Sequence, residues 1–128
     1  GGSLLLASIL GPQQVRCVCA DLPFLTDFPH TGLAGEAYGL LRPLQKEVEP
    51  ELFWRRLGFV DTISHAHRLT MPVMLSAGGK DDTCPAATIE RLFERLPATK
   101  QYTYLEHQTH THSRSSMVLF SAWLRLYG

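Results

Sequence analysis

Charge of one sign is missing from this sequence: 12 lysines and arginines offset 12 aspartates and glutamates over 128 residues, leaving a formal net charge of zero. A balanced chain offers no basic field to a polyanion or an anionic bilayer, which excludes nucleic acid and membrane as main partners. Long hydrophobic runs are missing too. The longest, Leu4 to Leu10, is interrupted by Ser8 and is far short of the roughly 20 residues that cross a bilayer. It has no basic leader, so it reads poorly as a signal peptide. Cysteine is scarce: three, an odd number, do not make a disulfide framework, and a reducing, cytoplasmic setting is expected. What is present is ordinary globular material, 45% hydrophobic and 19% charged, enough for one domain and unlike a disordered chain or a coiled coil.

Punctuation divides the chain. Leu4 to Leu10 runs into Gly11-Pro12, a helix stop: glycine takes the left-handed C-terminal position and proline cannot continue the helix. This helix is apolar nearly all round, so burial on most sides is expected. Val15 to Ala20, short and rich in small and β-branched residues, predicts a strand buried on both faces, the habit of parallel sheets. Cys17 and Cys19 fall on the same face of it and read as small hydrophobes. Pro23 to Gly39 reads as irregular. Helical stretches follow over 38–48 and 51–57, parted at Pro50, and Asp61 reads as the N-cap of a short helix through Arg68. His65 and His67 on that polar helix read as surface residues, and His30 carries no signal. Pro72 to Ala77 is a second buried strand, closed by Gly78-Gly79. Ile89, Leu92, Phe93 and Leu96 recur at i, i+3, i+4 and i+7, the apolar stripe of an amphipathic helix. Gln101 to Leu105 is a third strand, and a histidine-rich loop leads to a last helix over 115–127. Strands alternating with helices make an α/β fold, with a parallel sheet covered by helices.

In an open parallel sheet, reactive groups gather at the carboxyl ends of the strands, where the loops converge on one crevice. Two such ends carry suitable residues: Gly78-Gly79-Lys80-Asp81-Asp82-Thr83-Cys84-Pro85 and His107-Gln108-Thr109-His110-Thr111-His112. Neighbouring strands lie about 4.8 Å apart, so a carboxylate on one loop can reach an imidazole on the other. Acid before histidine is also the chain order of an α/β-hydrolase triad. In that chemistry a neutral imidazole takes the proton of a serine hydroxyl while the carboxylate fixes the ring's tautomer. Competing readings stay open on the residues alone. Asp81 or Asp82 could simply cap the helix beginning near Pro85. His107, His110 and His112 could hold a metal, as in a metal-dependent hydrolase, or form a solvated loop.

Ala20-Asp21-Leu22-Pro23-Phe24-Leu25-Thr26-Asp27-Phe28-Pro29 closely resembles a stretch of the acetyl xylan esterase/cephalosporin C deacetylase family of serine α/β-hydrolases. There a strand ending A-D-x-P-F-L enters the insertion before the acid-bearing strand. Gly78 to Pro85 is similar to the family's G-x-x-D-x-x-C-P, and Arg55 to Asp61 with Met71-Pro72-Val73 looks like its connecting segment. The similarity runs over nearly the whole chain. It implies the C-terminal half of an α/β-hydrolase domain over residues 1–128, with a helical insertion at about 23–68. Residue by residue it places the triad acid on Asp81 and the triad histidine on His110, the one preceded by the small Thr109. His107 and His112 are the alternatives, because the family's G-H-E-like setting is not reproduced here.

The resemblance also implies an acetyl ester hydrolase acting on small, sugar-like acetylated substrates, needing no cofactor and assembling as a homo-oligomer. In the family the nucleophile lies in G-x-S-Q-G-G, and Gly1-Gly2 look like the last two glycines of that elbow. Ser3 would lie beyond the turn, inside the helix, and is no substitute. The serine would then come from a preceding N-terminal half, the 128-residue chain alone would be inactive, and Leu4, Leu5, Ile9 and the first strand would lack their neighbours. The rival class is an α/β module that keeps the fold for binding only.

Overall fold

A single parallel sheet of three strands organises the computed structural model, which describes residues 1–34 and 36–128. Strands β1 (Val18–Asp21), β2 (Val73–Gly78) and β3 (Lys100–Leu105) lie in the order β1-β2-β3. Val18 pairs with Val73 and Asp21 with Ser76, while Val73 pairs with Lys100 and Gly78 with Leu105. All three strands therefore end at one edge of the sheet. Every residue of the central strand is buried, as its run of apolar and small residues implies.

Alternation decides which helix covers which face. Val18, Ala20, Val73, Leu75 and Ala77 pack with Leu4 and Ala7 of helix α1 (Gly2–Leu10) and with Ile89 and Leu92 of helix α5 (Ala86–Arg95). Cys19, one step out of phase, faces helix α6 (Arg114–Tyr127) across the sheet, its thiol 4.0 Å from the Phe120 carbonyl oxygen. Asp21 and Ser76, paired in register, lie on this second face.

Two expectations shift. The first strand starts at Val18 rather than Val15, because the turn after α1 uses the Val15 N–H on the Gly11 carbonyl at 3.0 Å, and the ladder opens only with Val18 N–H on Pro72 at 2.9 Å. Asp21 is the strand's last residue. Helix α1 is not covered all round: Leu4 is fully buried in this chain's own core, whereas Leu6 is 55% and Ile9 73% exposed. Its packing on β1 and on the 3₁₀ helix Thr62–Arg68 occupies one side only.

The segment between β1 and β2 carries the expected helices as α3 (Leu41–Glu47), α4 (Pro50–Leu57) and the Thr62–Arg68 helix, and within the stretch read as irregular, 23–39, it adds two short turns, α2 (Phe28–Thr31) and a 3₁₀ turn Glu36–Tyr38. Its own small core joins Phe28, Leu33, Tyr38 and Phe53, with Tyr38 stacked on Phe24 at 5.2 Å and edge-on to Phe28 at 5.8 Å. The entry to it is strained. Leu22, Leu25 and Asp27 have φ of 47°, 61° and 55°, left-handed values that persist only when surrounding structure over-determines them. Here Leu22 N–H donates to Ser76 Oγ at 3.2 Å, Thr62 N–H to the Leu25 carbonyl at 2.8 Å, and Asp27 N–H to Asp61 at 2.7 Å. Among the described residues no helix is long and apolar enough to cross a membrane.

Candidate active site

The loop after β2 turns on Gly78-Gly79, and the reason for two glycines is backbone proximity. A Cβ at Gly78 would lie 2.5 Å from the Gln108 carbonyl oxygen, and one at Gly79 would lie 2.4 Å from that of Glu106. With no side chain in the way, Gly79 N–H reaches Leu105 and Lys80 N–H reaches Gln108, both at 2.9 Å. These bonds lock the loop after β2 against the loop after β3.

Asp81 is carried into the seam between the two loops, its carboxylate fully buried. Both oxygens are used. Oδ1 accepts the N–H groups of Thr83 at 2.9 Å and Cys84 at 2.8 Å, while Oδ2 lies 2.9 Å from His110 Nδ1. A carboxylate only accepts, so Nδ1 carries the proton of this contact, and in the neutral ring the lone pair is then on Nε2. The His110 side chain is 44% exposed, a ring held from behind and open in front. The capping alternative finds a partial answer here: Asp81 secures the turn ahead of α5, but the helix N-cap is Pro85, without a side-chain cap. Asp82 is exposed and makes no hydrogen bond or ion pair among the described residues.

The three loop histidines part company. His110 meets Asp81, His107 is exposed without a partner among the described residues, and His112 Nδ1 lies 2.7 Å from Asp21 Oδ2. They form no common ligand cluster. The nearest to one is Asp81, Cys84 and His110, whose donor atoms lie within 4.8 Å of one another. Burial, with the Asp81 charge adding to it, pushes the Cys84 thiol up to about 12, so a metal would have to displace the thiol proton on binding. Asp81 is moreover already satisfied on both oxygens. His65 Nε2 sits 3.0 Å from the Phe59 carbonyl oxygen, and His30 and His67 are exposed.

The Asp21–His112 contact escaped the sequence analysis. The signal was partial: Asp21 closes the first strand, in the sheet that also bears Asp81's loop, but no spacing ties it to His112. Both histidines face a cleft of about 290 Å³ lined by Gly1, Asp21, Leu22, Phe24, His110, Thr111 and His112. Gly1 is pressed so closely on the Phe24 carbonyl oxygen, 1.6 Å from where a Cβ would stand, that only glycine fits.

The sequence matches the acetyl xylan esterase (AXE1) family over residues 1–124. No curated protein sequence matches it significantly. Among solved structures it is similar to acetyl xylan esterase 1 from a Thermoanaerobacterium species, at 25% identity and a TM-score of 0.84, covering 97% of this chain and 42% of that one. An acetyl xylan esterase from a Paenibacillus species gives 18% identity and a TM-score of 0.86 over 100% of this chain and 43% of that one. A monoacylglycerol lipase from Paleococcus ferrophilus matches at 17% identity and a TM-score of 0.63, over 97% of this chain and 62% of that one. The chain thus spans less than half the length of the acetyl xylan esterases it matches.

Proposed function

The chain belongs to the acetyl xylan esterase family, and from that premise we propose that it supplies the acid and the base, Asp81 and His110, of a serine esterase whose nucleophile lies in polypeptide preceding Gly1. One observation carries the reading: a fully buried carboxylate holds Nδ1 of a half-exposed imidazole at 2.9 Å, on the wall of a cleft that Gly1 also lines. A serine hydroxyl delivered there would lose its proton to His110 Nε2 as its oxygen attacks the acetyl carbonyl. The imidazolium, stabilised by Asp81, would protonate the departing alcohol. Water would then release acetate from the acyl-serine by the same proton path in reverse.

The substrates proposed are acetyl esters of small sugars and of cephalosporin C, hydrolysed in a cytoplasmic, homo-oligomeric enzyme. The unpaired edge of β1 and the exposed Leu6 and Ile9 are where the preceding half would complete the sheet, since an open apolar strand edge invites pairing. Without that half the chain has no nucleophile and is proposed to be inactive. The test is made on the complete polypeptide. It should hydrolyse an aryl acetate and an acetylated xylo-oligosaccharide, and a serine-directed phosphonate should stop it by labelling one serine upstream of Gly1. Hydrolysis that survives the phosphonate but yields to chelation would overturn the serine mechanism in favour of a metal.

A further inference from the structure

The geometry points to Asp21 and His112 as a positioning pair that holds His110 in its productive orientation; this rests on the esterase reading above. The need arises from the loop. Eight residues, 106–113, join β3 to α6, and His107, Thr109, His110, Thr111 and His112 are all exposed. Packing therefore does not fix the catalytic ring. On the proximal side the loop is tied by Lys80 N–H to the Gln108 carbonyl, and on the distal side by Ser113 Oγ, which accepts Ser116 N–H at 2.9 Å and caps α6. Between these ties Gln108 Nε2 donates to the Thr111 carbonyl and hydroxyl oxygens within the loop, and among the described residues two of its side chains bond outside it, His110 to Asp81 in the loop after β2 and His112 to Asp21 at the end of β1.

The second anchor is built as carefully as the first. Asp21 ends β1 directly opposite Ser76 in register. Ser76 Oγ accepts the Leu22 N–H at 3.2 Å and donates to Asp21 Oδ1, leaving Oδ2 for His112 Nδ1 at 2.7 Å. Ser76 is fully buried, so this chain of bonds has its root in the central strand. His110 and His112 are two residues apart, so fixing the second limits how far the first can swing. A catalytic group must be held to about 0.5 Å, and a displacement near 1 Å can cost on the order of 100-fold in rate. An 85% exposed imidazole adds little to global stability in return, so a positional effect and a folding effect separate.

The experiment uses the complete polypeptide with His112→Ala and His112→Asn, because the asparagine amide nitrogen stands close to where Nδ1 stood but carries no titratable proton. His112→Ala should lower kcat about tenfold or more with KM changed less than about twofold and the melting temperature nearly unmoved. His112→Asn should recover kcat to within about threefold of the parent. In parallel, the low-field proton NMR signal of His110 Nδ1–H should broaden in the alanine variant and sharpen again in the asparagine variant. Unchanged kcat and an unchanged His110 signal in His112→Ala would overturn the proposal. So would a rise in KM alone, which marks a substrate contact, or an asparagine variant as inactive as His110→Asn, which marks His112 as the base. A parent protein inactive on every acetyl ester would remove the esterase reading, while the His110 signal would still decide the positioning.

Discussion

The Asp61 carboxylate accepts the backbone N–H of Asp27, 34 positions earlier in the chain, at 2.7 Å and that of Phe28 at 2.9 Å. The same carboxylate caps its own 3₁₀ helix through Ile63 N–H at 3.1 Å. Asp61 is 2% exposed, so one side chain satisfies three amides in the wall between the left-handed loop after β1 and the approach to β2. Removing the acceptor strands them, and each buried unmade hydrogen bond costs roughly 1–3 kcal/mol. Asp61→Ala should therefore destabilise the protein by about 3 kcal/mol or more, read as a lowered urea midpoint at unchanged slope. A loss below about 1 kcal/mol would mean that the loop is held by Thr62 alone, whose N–H binds the Leu25 carbonyl and whose hydroxyl lies 2.8 Å from that of Thr26.

Asp81→Asn should be far more damaging to catalysis than to folding. The amide would keep its oxygen on the Thr83 and Cys84 N–H groups, which demand an acceptor, and so turn its NH₂ toward His110 Nδ1. That forces the proton onto Nε2, the atom that must receive the serine proton. The expected loss in kcat is up to about 10⁴, the scale of the same change in a serine protease triad. Asp82→Asn, at an exposed and unbonded position, should leave kcat within about twofold. Steady-state kinetics on one acetyl ester decide between them, and the reverse ranking would shift the acid by one residue.

The three strands, the crossing helices and the turn after β2 were legible because each rests on local pattern. The apolar run of Val73 to Ala77, the 3.6-residue stripe of Ile89 to Leu96 and the Gly78-Gly79 punctuation all report directly on burial and turning. The Asp81–His110 contact followed from topology, since adjacent parallel strands end side by side. What stayed hidden was non-local. Nothing near Val15 announces that its N–H is taken by Gly11, and although Asp21 stood at the close of the first strand, no spacing ties it to His112, 91 positions away. The short helical turns Phe28–Thr31 and Glu36–Tyr38 were hidden by proline and glycine, because their stability comes from Tyr38 packing on Phe24 and Phe28 rather than from propensity. Asp61 was legible as a cap but not as the anchor of a loop 34 positions away.

Gly79→Ala tests whether the two loops act as one unit. Its Cβ would fall 2.4 Å from the Glu106 carbonyl oxygen and equally close to the Tyr104 hydroxyl. Tyr104 can swing aside, but the carbonyl belongs to the backbone that carries the histidines. Relief of such a clash costs about 1–3 kcal/mol, and the displaced loop takes His110 away from Asp81. Both the melting temperature and kcat should fall. Gly128→Ala, whose contact is with the Leu124 carbonyl oxygen at the far end of α6, should leave kcat unaffected.

Cys84 supplies a pH-dependent signature of the buried seam. Burial first, and then the neighbouring Asp81 carboxylate, push its thiol up to about 12, whereas an unfolded cysteine ionises near 8.5 by its ordinary value. The folded state thus favours the neutral thiol, and the sign follows: this contribution to stability is complete below about 8.5 and is lost as pH rises toward the folded value. Each proton difference is worth up to about 1.4 kcal/mol per pH unit in that window. Cys84→Ala should be less stable at neutral pH because of the cavity it leaves, yet lose stability less steeply than the parent between about pH 9 and 11. Urea titrations across that range measure the two slopes. Iodoacetamide at pH 8 gives an independent check, since the thiolate is the form that displaces its iodide: Cys84 should stay unmodified in the folded protein and react once urea opens the seam. Parallel slopes together with rapid labelling of native Cys84 would place an ionisable, accessible thiol beside Asp81, reopening the Asp81–Cys84–His110 cluster as a metal site.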